Sequence, residues 1–490
     1  MPTPLPTVTT ASLTRAAADL VKLPLPSGAA SEDASQEHHH PRTDVVAEAV
    51  ARFRPAAAAL LALPRGAKPA WDLPVAIATL AVDADPDEVT ALATTVFVGE
   101  LTAAGEVRPV RGVLSVVEAA IAAGYAQCVV PGANAPEVYD LTRIKVVGVA
   151  TLAEAWAYAA LAPLPVPVPA EQLGGDSVDF VQVRGHEAAL RGLMIGAAGG
   201  HSVHLHGPSG SGKTMLARRA GTILPPMTRA EERTVLRHHS AAGIMPVGRS
   251  RPPERPFRAP HHTISLVGLL GNIKRLGEMD LAAHGVLFCD EADELFDAIQ
   301  RQGGVPETCL DLARKTETWV IFATGSGDAR GFNQGDHTLP TAAAAAARRR
   351  VAAFAEIQIP LVPHSFDGLL ISPPATTSAV LRMQVIAARA AAEQRYRKHF
   401  GAEPTRLNGA IDQAELSRIS PLSSECQQLL DVAVTAFEAN PLAAHRVART
   451  IADLEGTAEI ALPHMSEAIT WTTGAPVRQA DELPPSRGRR

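Results

Sequence analysis

The chain has 490 residues and a formal net charge of −6, from 45 Lys and Arg against 51 Asp and Glu. That length suits two or three domains, and that charge excludes a global basic field for nucleic acid, leaving DNA contact to local patches or a ring assembly. No apolar run reaches the roughly 18 residues of a membrane helix, no basic-then-apolar leader opens the chain, and Cys128, Cys289, Cys309 and Cys426 are too scattered for a disulfide framework, as expected of a cytoplasmic protein.

Residues 1–43 are rich in Pro, Ser, Thr and Ala and read as a disordered tail. His38, His39 and His40 within it read as incidental rather than as metal ligands. From Asp44 to about residue 160, helix-like and strand-like segments alternate. Residues 161–177 read as a linker, because Leu161–Pro169 places proline at nearly every second position, which neither a helix nor a central strand accepts. Residues 178–372 alternate strands and helices and predict a parallel sheet covered on both faces. Residues 373–474 are dominated by helical patterns. Residues 475–490 form a polar tail ending in Arg487, Gly488, Arg489 and Arg490, which reads as a solvated terminus.

Residues 178–372 carry the chemistry. Gly207, Pro208, Ser209, Gly210, Ser211, Gly212, Lys213 and Thr214 fit the P-loop pattern G-x-x-x-x-G-K-[ST] at every fixed position. A strand-like run, Ser202–His206, precedes it, and Met215 continues into a helix. That context predicts an ATP site in which backbone N–H groups surround phosphate oxygens, Lys213 reaches the β- and γ-phosphates and Thr214 holds Mg²⁺. Gly285–Cys289 is an apolar strand ending in Asp290 and Glu291, the Walker B arrangement. Asp290 is expected to bind Mg²⁺ through water and Glu291 to polarise the attacking water.

Further stretches resemble the ComM and magnesium chelatase-like branch of the AAA+ ATPases. Arg255–Thr263 resembles the family's R-P-F-R-x-P-H-H-T block, Gly277–Glu291 its G-E-I-S-L-A-H-x-G-V-L-F-L-D-E, and Arg446–Leu454 its R-V-A-R-T-I-A-D-L helix. Trp71–Ala78 and Gly99–Val113 resemble the Lon-protease-like domain that opens such proteins. The resemblance implies an α/β protein with an N-terminal Lon-like α+β domain (44–160), a central AAA+ domain with a parallel sheet (178–372) and a C-terminal helical lid (373–474). It also implies a hexameric ring that couples ATP hydrolysis to remodelling of branched DNA. On this alignment the Lon serine and lysine positions are Ala70 and Leu114, so no protease is expected.

The chain also departs from the family. The sensor asparagine falls on Ser326, or on Gly325 if the register slips by one, and the family's cysteines are gone, so no zinc is implied. Glu356 stands where the arginine finger belongs, with Arg348, Arg349 and Arg350 as substitutes to consider. Arg446 and Arg449 read either as a γ-phosphate sensor, with Arg449 the candidate ATP contact, or as structural arginines. Arg255 and Arg258 read as contacts to DNA or to a neighbouring subunit, and His261 and His262 as structural or inter-subunit residues. A regulatory module that binds ATP with little hydrolysis, and a chelatase-type motor, stand as alternatives.

Overall fold

The computed structural model describes residues 7–24, 42–53, 68–81, 86–157, 178–245, 254–304, 306–325, 342–363, 375–401 and 406–474. The linker 161–177, His38–His40, Ser326 and the tail 475–490 lie outside them. The chain divides into two compact units that do not follow chain order. The first takes residues up to 175 with 228–253 and 272–276, and the second takes 176–227, 254–271 and 277 onward.

The first unit is built on a five-stranded sheet in the order β2-β1-β3-β6-β7: β1 (Thr7–Thr14), β2 (Ala17–Pro24), β3 (Thr95–Phe97), β6 (Gln127–Pro131) and β7 (Lys145–Val149). Two short strands, β4 (Glu100–Leu101) and β5 (Val107–Arg108), pair beside it. β1 and β2 correct the expectation of a disordered opening. Thr7–Thr14 is rich in β-branched residues, five of its eight, and pairs antiparallel with Ala17–Pro24 around a two-residue turn, where Arg15 takes φ 54°. β1 then joins β3 in parallel, so the hairpin extends the sheet. The helix Asp72–Leu80 is buried at every position. Leu114 is buried and Ala70 packs against the same apolar cluster, so both side chains serve the core.

The segment after Met227, expected to belong to the nucleotide domain, packs in this first unit. Its helix Arg229–Ala242 starts with a capping box in which Thr228 accepts from the Glu231 N–H. Arg233 Nε and Arg237 Nε then donate to the two oxygens of Glu118 at 2.7 and 2.9 Å. Val235 is 1% exposed, and Leu236 packs on the cluster around Val113 and Val117. Apolar burial, with about 25 cal/mol per Å² as its scale, outranks sequence proximity here.

The second unit holds a wholly parallel sheet in the order β12-β8-β11-β10-β9: β8 (Val203–His206), β9 (Phe257–Arg258), β10 (Val286–Cys289), β11 (Trp319–Thr324) and β12 (Ile357–Pro360). β10 and β11 are buried along their whole length, and their unbroken apolar runs are what a doubly covered parallel strand requires. β8 tolerates a histidine in this environment because His204 is bonded on both sides, to Gln358 Oε1 at 2.8 Å and Thr324 Oγ1 at 2.9 Å. The helices Ser378–Phe400, Ser424–Phe437, Pro441–Leu454 and Leu462–Thr473 contribute Val385, Leu430, Val447 and Met465 to the core that also holds Val203, Ile321 and Ile357. The helical region and the sheet therefore share one apolar core.

Asp72 illustrates how the first unit is pinned. Its buried Oδ2 accepts from Arg42 Nε at 2.8 Å and from the Leu101 N–H at 3.1 Å. Burial pushes the Asp72 carboxyl up, with Arg42 and the Leu101 N–H opposing it. Arg42→Met is expected to cost about 2–4 kcal/mol, because it leaves a buried carboxylate without its cation; urea unfolding followed by circular dichroism reads the loss.

Candidate nucleotide site

The P-loop leaves the C-terminal end of β8, the position where open parallel sheets place ligands. Gly207 has no alternative: a Cβ there would sit 2.3 Å from the Leu361 carbonyl oxygen. Gly212 takes φ 91° as the cap of the helix Lys213–Ala220, a conformation that other residues rarely adopt. The loop therefore presents its backbone donors at a helix start, the arrangement that attracts phosphate.

Four side chains converge here. Lys213 Nζ donates to the carbonyl oxygens of Gly207 and Pro208 at 2.7 and 2.8 Å. Burial draws the Lys213 ammonium below the ordinary lysine range, with Asp290 opposing that shift. Thr214 Oγ1 donates to Asp290 Oδ2 at 3.1 Å, so the P-loop and the acidic strand tip meet directly. Ser211 is buried, and its hydroxyl has no hydrogen-bond partner among the described residues. A buried orphan hydroxyl in a glycine-rich loop suits a phosphate oxygen, and the Thr214–Asp290 pair supplies the hard oxygen ligands that Mg²⁺ takes. Ser209 and Gly210 are exposed at the loop tip, and Met215 is half-buried at the first helical turn.

Glu291 does not face the same way as Asp290. It sits at φ 49°, ψ 48° as the cap of the helix Ala292–Arg301, a left-handed conformation costing about 1–2 kcal/mol outside glycine. Its carboxylate contacts His262 Nδ1, while His262 Nε2 lies 3.3 Å from Glu294. The three side chains bring one ligand atom each within 4.8 Å of one another. Sequence spacing gave no sign of this contact, because His262 and Glu291 belong to different motif blocks.

The remaining expected site residues are occupied elsewhere. Arg449 is fully buried; its terminal nitrogens donate to the carbonyls of Thr457 and Ala458 and reach Asp453. That corrects its assignment as an ATP contact, since these donors are spent inside the helical region. Arg446 donates to the Ile411 carbonyl and pairs with Glu356 at 2.7 Å. Glu356 also accepts from His201 Nδ1 at 2.6 Å, and His201 Nε2 meets Thr450 Oγ1 at 2.8 Å. The residue at the arginine-finger position is thus the centre of an internal network. Arg350 pairs with Asp297, and Arg349 is exposed. Arg258 is bound in two places by Glu278, and Arg255 is bonded to the carbonyls of Pro225 and Pro226, so both arginines brace loops. Gly325 is exposed just past β11.

Comparison with known proteins agrees with this architecture. Residues 179–302 match the family model described as magnesium chelatase, subunit ChlI. Residues 375–471 match its C-terminal model, and residues 64–134 match the model described as subunit ChlI of Mg-chelatase. The protein YifB of Salmonella typhimurium is 31% identical over 82% of this chain and 81% of its own length. Competence protein ComM of Haemophilus influenzae is 29% identical over 82% of each. Rv2897c of Mycobacterium tuberculosis is 37% identical over 42% of each.

His201 and Arg446 outweigh the burial of Glu356 and hold its carboxyl below the ordinary glutamate range. A depressed carboxyl contributes stability that is present above the unfolded value of about 4.3 and lost as pH falls through the folded one. Glu356→Gln is therefore expected to lower stability by about 2–4 kcal/mol at pH 7. The gap from the parent should close progressively below about pH 4.3, read from urea midpoints across a pH series.

Proposed function

This chain belongs to the ComM/YifB-type magnesium chelatase-like family, and on that premise we propose that it binds Mg²⁺·ATP between the P-loop and the β10 tip and hydrolyses it. The observation that carries the proposal is the direct bond from Thr214 to Asp290, which joins the two motifs into one site. In this reading Gly207–Thr214 cradles the phosphates, with the Ser211 hydroxyl and Lys213 as donors. Thr214 and Asp290 hold the metal, which supplies charge neutralisation at the phosphate oxygens. Glu291 takes the proton of the attacking water as the terminal phosphoryl group passes to it and ADP leaves.

The work driven by hydrolysis is proposed to be remodelling of branched DNA by a ring of identical subunits in the cytoplasm. The support is the similarity to ComM over most of the chain. The first unit is proposed to be an inactive Lon-like domain, followed by the linker, the AAA+ domain and the helical lid.

A second reading has its own observation. Glu356 is committed to His201 and Arg446, so this position offers a neighbouring subunit no cation. Loss of an arginine finger costs on the order of 10³–10⁵ in rate. A chain without one elsewhere would bind ATP and act as a nucleotide-gated structural module.

Steady-state ATPase with and without branched DNA separates the two. The motor reading expects DNA-stimulated turnover that Glu291→Gln lowers by about 10²-fold or more while nucleotide binding persists. Lys213→Ala is expected to abolish binding of a fluorescent ATP analogue. Binding with turnover no higher than that of Glu291→Gln would establish the structural module instead.

A further inference from the structure

Four carboxylates fall within five residues where β10 hands over to the helix Ala292–Arg301: Asp290, Glu291, Asp293 and Glu294. Asp290 is engaged by Thr214. Glu291 and Glu294, three apart, share one side of the helix start. The ring of His262 reaches both, with Nδ1 toward Glu291 and Nε2 3.3 Å from Glu294. One ligand atom from each of the three side chains falls within 4.8 Å of the other two. Ligand atoms about 2.0–2.1 Å from a tetrahedral zinc ion stand about 3.4 Å apart. The two glutamates, 57% and 62% exposed, have the rotamer freedom to reach that spacing. The imidazole is oriented from outside the trio: it lies against His261, ring centres 4.1 Å apart, and His261 Nδ1 meets Thr263 Oγ1 at 2.8 Å. A cleft of about 370 Å³ beside His262 and Glu294 admits an ion with its waters. Arg301, which also lines the cleft, is turned back to the Asp297 carbonyl at 3.2 Å.

We propose that His262, Glu291 and Glu294 form a second metal site, selective for a zinc-class dication over Mg²⁺, and that its occupancy inhibits ATP hydrolysis. The donor set makes the selection. Mg²⁺ takes hard oxygen ligands in near-ideal octahedral geometry, whereas one imidazole nitrogen with two carboxylates suits zinc and its neighbours in the transition series. The charges balance, since two carboxylates and a neutral ring meet a dication, and water from the cleft fills the remaining position. The Thr214–Asp290 pair has oxygen donors only, so the two sites sort two classes of ion. A Glu291 lone pair committed to the metal is unable to accept a proton from water. The metal site stands without the hydrolysis reading; the effect on turnover rests on Glu291 being the base.

The test uses the chelator-treated full chain, with Glu294→Gln and His262→Phe beside the parent. Zn²⁺ is counted after equilibrium dialysis, and Co²⁺ serves as the spectroscopic probe through its visible absorption. The parent is expected to hold one more Zn²⁺ than either variant, a difference in which ions on His38–His40 cancel. Loss of Glu294 should weaken the site by about 10-fold to 100-fold, at least what an outer-shell partner gives. A Co²⁺ spectrum of tetrahedral strength should appear in the parent alone. Should His262→Phe fail to fold, judged by its thermal melt and binding of a fluorescent ATP analogue, the exposed position 294 decides. Equal Zn²⁺ counts and equal Co²⁺ spectra in parent and Glu294→Gln overturn the site. Turnover is then followed with Mg²⁺·ATP in excess. Zn²⁺ should lower the kcat of the parent toward that of Glu291→Gln with KM unchanged, whereas Glu294→Gln keeps its basal rate and resists Zn²⁺. Inhibition that is equal in parent and Glu294→Gln arises elsewhere, and overturns the link to turnover. Zn²⁺ bound through Glu294 with the parent's turnover undiminished overturns the reading of Glu291 as the base and leaves the metal site standing. A parent without turnover overturns the hydrolysis reading, and the dialysis and Co²⁺ results still decide the site.

Discussion

The carboxylate of Glu356 is the interaction on which the second unit depends. It stands just before β12, accepts from His201 just before β8, and pairs with Arg446 from the helix Pro441–Leu454. His201 passes the contact on to Thr450, which also meets Asn408, and Asn408 meets Asp453. A buried charge is costly unless its partners are complete, so this chain of polar groups admits one alignment of the sheet edge with the helices. The P-loop lies at the other end of β8, where the Leu361 N–H bonds back to the His206 carbonyl. One short strand thus carries the phosphate loop at one end and the polar hub at the other.

Much of this was legible in the sequence because the signals are local. The P-loop sits within eight residues between a strand and a helix, and the acid pair follows an apolar run, so pattern and geometry coincide. The apolar runs of β10 and β11 announced a buried parallel sheet. Long-range pairing was not legible. The hairpin Thr7–Pro24 looked disordered because it lies in a stretch rich in Pro, Ser, Thr and Ala, and its pairing with β3 gives it a core to cover. Arg449 looked like a nucleotide sensor because its motif says nothing of burial. Its carbonyl partners, Thr457 and Ala458, lie in the turn beyond its own helix.

The two functional readings differ at one residue class and agree at the other. The proposed nucleotide pocket is supported by the Thr214–Asp290 bond, by Lys213 on the P-loop carbonyls and by the orphan hydroxyl of Ser211. Glu356 is committed to His201 and Arg446 inside its own fold, and the arginines of the Arg255–Thr263 block brace loops through Glu278 and backbone carbonyls.

The path of the chain carries a consequence for how this molecule can be taken apart. Between the P-loop helix and β9 the backbone leaves the second unit, contributes Thr228–Pro253 to the first, and returns; residues 272–276 repeat the excursion on a smaller scale. The first unit is consequently not a cassette that a single cut at the proline-rich stretch can release. A chain shortened there would still carry the helix Arg229–Ala242, with Val235 and Leu236 stripped of the apolar surface they cover and Arg233 and Arg237 stripped of Glu118. Lifting the opening unit out intact therefore means moving three separated stretches together.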